Sequence, residues 1–151
     1  MRYTGAVRTS RVEPLPPADF NRLAAAIAHG IVLAGVGPES SAEDTAKAVD
    51  AAIRRAKDSG KGLTPDQVEG LGVLWGKAVS QASGWTWARV VDGDASHICL
   101  VAQDHAHACL PLALVADQLN DGKECSSLVI FEMIAGAALP PAELEELAFV
   151  G

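Results

Sequence analysis

Cysteine is scarce in this chain, with three residues in 151, and the three follow no framework spacing. An odd count made up of Cys99, Cys109 and Cys125 excludes a closed disulfide scaffold. No basic-then-apolar leader opens the sequence, so a reducing cytoplasm is the expected compartment. Long hydrophobic runs are missing too. The most apolar stretch, 23–36, is broken by His29 and Gly30, and it falls short of the ~20 residues that span a bilayer. Bases are outnumbered, 12 against 19 acids for a formal charge of −7. That balance argues against nucleic acid or an anionic membrane, and for a soluble protein or a basic partner. There is no phosphate-loop frame around Gly60-Lys61, no internal repeat and no low-complexity tract. What remains is one domain over 1–151, of a length that buries roughly two thirds of its unfolded surface without disulfides or metal.

Aromatic residues are few, 5 % of the chain, yet all three tryptophans fall between Thr64 and Leu112 with all but one of the histidines. This stretch reads as a helix followed by three short strands. Thr64-Pro-Asp-Gln67 provides a capping hydroxyl, a proline at the first helical position and a reciprocal amide three residues on. Val68, Leu71, Leu74, Trp75, Ala78, Val79 and Ala82 then recur at helical spacing, an apolar stripe that must be buried. Gly72 and Gly76 flank Trp75. Each costs about 1 kcal/mol against alanine in a helix, so another backbone or a large ring is expected to pack close there. Gly84 ends the helix, and the period changes to 2.

The strand register follows from the turns. Asp92-Gly93 is a two-residue hairpin signal that sets Trp87 opposite Ile98 and Trp85 opposite Leu100. For the second hairpin, loop length decides which face the third strand presents, because a slip of one residue inverts every side chain. An odd loop centred near Asp104 gives one apolar face of Trp85, Trp87, Ile98, Leu100, Ala108 and Leu110. It gathers His97, Cys99, His107 and Cys109 on the other.

The remaining segments are simpler. Residues 1–17, with three arginines and Pro14-Leu-Pro-Pro17, read as an extended arm; 18–62 hold two helices, one from Asp19 losing definition after Gly30 and one opened by Ser41 with Asp44. Ala46, Val49, Ile53 and Ala56 form the second helix's apolar stripe, and Lys47, Asp50, Arg54, Arg55 and Lys57 its solvated side. The core helix occupies 63–83 and the sheet 84–110. Two helices follow over 111–139, one opened by Pro111 and one from about Ser126 to Ala138. Leu128, Val129, Ile130, Phe131, Met133 and Ile134 make the last of these apolar almost all round, so it should be the most buried, with Glu132 turned to solvent. Residues 140–151 form an acidic tail anchored by Leu144, Leu147 and Phe149. The expected architecture is α+β: a three-stranded antiparallel meander packed against N-terminal helices, with two further helices after the sheet.

Two sets of residues bear on function. His97-x-Cys99 with His107-x-Cys109 would offer two imidazoles and two thiols to one metal, or a cysteine nucleophile with a histidine base, in a small hydrolase or metal-dependent enzyme. Alternate strand residues lie about 7 Å apart, wide for ligands of one ion, and neither cysteine sits at a helix N-terminus or glycine elbow that would activate it. The commoner role of such residues is half-buried packing, so no metal, cofactor or catalytic residue is expected. The second set is acidic. From Leu112 onward seven acids face one base, which places −6 of the −7 in the last forty residues. Asp117, Asp121, Glu143, Glu145 and Glu146, with Leu147 as an apolar anchor, are the expected partner-binding residues, the partner being a basic protein.

Leu71-Gly-Val-Leu-Trp-Gly76, Gly84-Trp-Thr-Trp87 and the Val101 to Pro111 strand entering Pro111-Leu112 resemble a family of uncharacterised bacterial α+β domains. In that family a Leu-Gly-x-x-x-Gly helix leads into a Gly-Trp-x-Trp strand. The resemblance covers about a third of the chain. Where the family has Ser-Pro-Asp before its last strand, this chain has Ala102-Gln-Asp104, matching only the aspartate. Its motifs are packing residues, so it implies a fold and no catalytic residues. Its association with immunity proteins beside secreted toxins implies a cytoplasmic, non-catalytic domain that binds and neutralises a basic toxin.

Overall fold

In the order of the chain, the computed structural model describes residues 11–120, 126–139 and 148–150. Its elements are β1 (Arg11–Pro14), α1 (Pro17–Ala34), α2 (Ala42–Ser59), α3 (Pro65–Ser83), β2 (Thr86–Asp92), β3 (Ala95–Val101), β4 (His107–Cys109), α4 (Pro111–Asn120), α5 (Ser127–Ala135) and β5 (Ala148–Phe149). The class is α+β as expected. Among the described residues, five helices accompany four antiparallel strands in the order β1-β2-β3-β4, and β5 adds a short parallel pairing beside β4. The expected three-stranded meander is therefore the middle of a wider sheet. Arg11–Pro14, read as part of an arm, is an edge strand pairing Val12 with Val90. A proline and two charged residues suit an edge, where the outer backbone groups have no strand partner.

α3 is the axis of the molecule. Thr64 accepts from the Gln67 backbone N–H while the Gln67 side chain accepts from the Thr64 N–H, the reciprocal cap expected from the sequence. Leu71, Leu74, Trp75, Ala78 and Val79 are buried in one core with Ala46, Val49 and Ile53 of α2, Val115 of α4 and Phe131 of α5. The glycines explain how the neighbours come so close. A Cβ on Gly72 would stand 3.0 Å from the Leu112 Cα, and one on Gly76 would stand 2.5 Å from the Trp87 ring. Backbone and ring thus fill the two gaps expected beside Trp75. A tighter approach was not foreseen: a Cβ on Gly70 would lie 2.5 Å from the Gly30 nitrogen and 2.7 Å from the Ala26 oxygen. Gly30 does not weaken α1, which continues to Ala34 and ends at Gly35 with φ 72°.

The first hairpin turns at Gly93-Asp94, pairing Asp92 with Ala95, instead of at Asp92-Gly93. Gly93 has φ 61° and Asp94 is not left-handed, so only the glycine takes the left-handed conformation at the first central position. Trp87 consequently faces Leu100, and Arg89 faces Ile98. The shift is of two residues in the pairing sum, so the face assignment of β2 against β3 survives.

The second hairpin does not keep the expected register. Leu100 pairs with Cys109 and Val101 with Ala108, and the Ala102 N–H donates to the His107 carbonyl, leaving the four-residue loop Gln103 to Ala106. Its length is even because the turn closed by His105 N–H to Ala102 O is followed by His105 itself at φ 58°. Asp104 accepts from the Ala106 N–H and steadies it. β4 is thereby inverted. Leu100 and Cys109 join the main core, whereas Ala88, Val90, Cys99, Val101 and Ala108 form a separate buried cluster with Val12 and Leu110.

Two burial expectations are also corrected. α5 is a helix, but Val129 is 57 % exposed, so α3, not α5, is the most buried. An apolar residue on the outer face of an edge helix simply stays at the surface. At the C-terminus Val150 enters the core while Phe149 remains 39 % exposed, so Phe149 is not the anchor of the tail.

Candidate functional site

The inverted β4 settles where the histidines and cysteines lie. His97 and Cys99 belong to one sheet face and His107 and Cys109 to the other, so the four do not converge. Among the described residues, no group of three or more His, Cys, Asp or Glu could hold a metal ion. His97 is exposed, His107 half-buried, and both cysteines are buried free thiols. Burial pushes the Cys99 thiol up to about 12, only partly offset by a backbone hydrogen bond with Val90 and the Arg89 charge. Cys109 is raised further, first by burial and then by Cys99. A thiol held protonated is a poor nucleophile and a poor ligand.

The raised Cys99 value has consequences for pH. The folded state holds a proton that the unfolded thiol releases above its ordinary value of 9.0. This contribution to stability is complete below that pH and is lost as pH rises toward about 12. At pH 8, iodoacetamide should label Cys99 and Cys109 in denaturant but leave both unmodified in the folded protein over the same time. Peptide mass spectrometry reads the difference, and rapid labelling of either in the fold would contradict its burial.

Of the expected partner-binding residues, Asp117 is exposed on α4. Asp121, Glu143, Glu145, Glu146 and Leu147 lie outside the described residues.

Asp50 was read as solvated and is instead buried, at 7 % exposure. It accepts from the Ser127 hydroxyl at 3.0 Å and the Leu128 N–H at 3.4 Å, and pairs with Arg54 at 2.7 Å. The carboxylate therefore satisfies the free N–H end of α5, where Ser126 makes no side-chain cap. The Trp75 indole N–H donates to the Ser127 carbonyl at 3.1 Å, tying the same junction to α3. These are packing roles. The i,i+4 pairing of Asp50 with Arg54 reads as a solvated helix face, and the α5 groups that bury it lie more than seventy positions away, so no local signal marks Asp50.

A groove that the sequence did not reveal lies between the first half of α1 and the second half of α3, with a volume of about 310 Å³. Leu23, Ile27, Val73 and Trp87 form its apolar floor, Phe20 stands 50 % exposed at one wall, and Lys77 and Gln81 stand at the rim. Ser80 also lines it, but its hydroxyl donates to the Trp85 carbonyl. Among the described residues two ion pairs stand beside this face, Arg22 with Glu69 and Arg89 with Asp19. The only hint in the sequence is that Phe20, Ala24, Ala28 and Val32 form an apolar ridge on α1 beyond the Leu23, Ala26 and Gly30 face that packs inward.

The fold has a counterpart in a crystal structure of a protein from Bacteroides thetaiotaomicron VPI-5482, with TM-score 0.63 and 14 % identity over 87 % of this chain. The chain spans about half of that protein's length, 49 %. At that identity the likeness concerns fold alone. No curated protein matches the sequence. A family model described as a domain of unknown function matches residues 46–131, from within α2 into α5, the span that holds Asp50, Trp75 and Ser127. The chain belongs to this family, DUF3806.

Proposed function

We propose that the chain is a non-catalytic binding protein, most concretely a cytoplasmic immunity protein that binds and neutralises a basic toxin domain of a bacterium. The observation that carries this reading is the inverted β4, which places His97 and Cys99 on the face opposite His107 and Cys109. The rival reading, a hydrolase or metal-dependent enzyme, needs those four residues together. The charge of −7 concentrated in the last forty residues supports a basic partner, and exposed Asp117 belongs to that stretch. Charge complementarity mainly speeds association and helps select the partner, while apolar anchors such as Leu147 hold the complex.

The test compares the parent chain with Glu143→Lys/Glu145→Lys/Glu146→Lys. A partner captured from the native lysate is purified, and its association rate with each is measured at low and high salt. The triple reversal should slow association at low salt and flatten its salt dependence, with the melting temperature unchanged, because charges that steer a partner through solvent act through a screened field. Identical association rates at low salt would remove the acidic tail from the interface.

A further inference from the structure

We propose that the groove between α1 and α3 binds a small amphipathic carboxylic acid, one aliphatic or aryl chain bearing one carboxylate. This goes beyond the protein-binding reading and stands without it. The groove exists because the two helices touch backbone to backbone at Gly30 and Gly70 and leave a gap where Leu23, Ile27 and Val73 meet. Its volume of about 310 Å³ sits at the small end of the ~300–1,000 Å³ typical of ligand clefts, which suits one short chain or ring. The floor offers an apolar tail contact with Leu23, Ile27, Val73 and Trp87.

The rim chooses the head group. Lys77 and Gln81 are four residues apart on α3, hence one turn apart on the same side. Among the described residues neither side chain has an ion-pair or hydrogen-bond partner. One ammonium and one amide, side by side, match the two oxygens of a carboxylate, and a hydrogen bond between ions is roughly twice as strong as a neutral one. Among the described residues that line the groove there is no carboxylate to receive a cation, and Ser80 is already engaged. A neutral amphiphile would fill the floor and leave the ammonium unanswered. An apolar acid satisfies both.

Octanoate, octanol and octylammonium, each below its micelle concentration, are titrated against the full chain with tryptophan fluorescence as the readout. Octanoate is expected to bind about tenfold tighter than octanol, about 1.4 kcal/mol, with octylammonium weakest. Lys77→Met, which keeps an apolar stem at an exposed position, should bring octanoate down to the affinity of octanol without lowering the melting temperature. Ala24→Trp, on the exposed wall, should block both. Equal affinity for octanoate and octanol in the parent chain, no fluorescence response to octanoate, or full octanoate affinity in Lys77→Met would each overturn the proposal.

Discussion

Trp75→Ala should lower stability by about 3–5 kcal/mol, the cost of truncating a fully buried aromatic side chain. Trp75 is 0 % exposed at the centre of α3, among Leu71, Leu74 and Val79 of its own helix and residues of α2, α4 and α5. Its loss leaves a cavity that neighbours on four elements cannot all collapse into. It also leaves the Ser127 carbonyl without its indole donor at the junction where Asp50 caps α5. Domains have only about 5–15 kcal/mol in total, so the variant should melt on the order of 10 °C lower. Trp75→Phe separates the two contributions. It retains most of the volume and loses the hydrogen bond, worth about 1 kcal/mol net, with the further cost of an unsatisfied buried carbonyl. A Trp75→Ala protein melting within a degree or two of the parent would mean that the ring is not buried.

Gly70→Ala should also destabilise, by about 1–2 kcal/mol net, although alanine is the better helix former. The intrinsic preference favours alanine by about 1 kcal/mol. Against it stands a Cβ placed 2.5 Å from the Gly30 nitrogen and 2.7 Å from the Ala26 oxygen. Both are backbone atoms within α1, so no rotamer change relieves the clash and the helices must separate. Overpacking that moves backbone costs about 1–3 kcal/mol and occasionally more. Gly62→Ala is the control, since a Cβ there meets nothing within 4 Å. Chemical denaturation of the three proteins decides it. A Gly70→Ala protein at least as stable as the parent would show that the two helices do not meet at these glycines. Separating the helices should also disturb octanoate binding in the groove, a coupling that Gly62→Ala would not show.

The parts of this fold that could be read from the sequence are those whose atoms lie within a few residues of one another. The Thr64–Gln67 cap, the Ser41 cap, the glycines that close α2 and α3, and the change of period after Gly84 are all such features. The parity of the first hairpin was equally legible, because a glycine must supply the left-handed residue of a two-residue turn. The second hairpin was not, since its left-handed residue is His105, and histidine enters that region far less readily than glycine. One backbone angle there inverted β4 and dispersed the only cluster in the sequence with the makings of a chemical site.

By itself, then, the sequence determined the five helical segments, the caps at Ser41 and Thr64, the segments of β2 to β4 and the buried stripe of α3, because local hydrogen bonds and hydrophobic period act over a turn or a pleat. Tertiary structure alone decided the rest. It placed Asp50 at the start of α5, seventy-seven positions from Ser127, brought Gly30 against Gly70, and added β1 and β5 to the sheet. It also opened the groove beneath Lys77. Each of these depends on where two distant backbones meet, and a contact between distant backbones leaves no periodic mark on either segment.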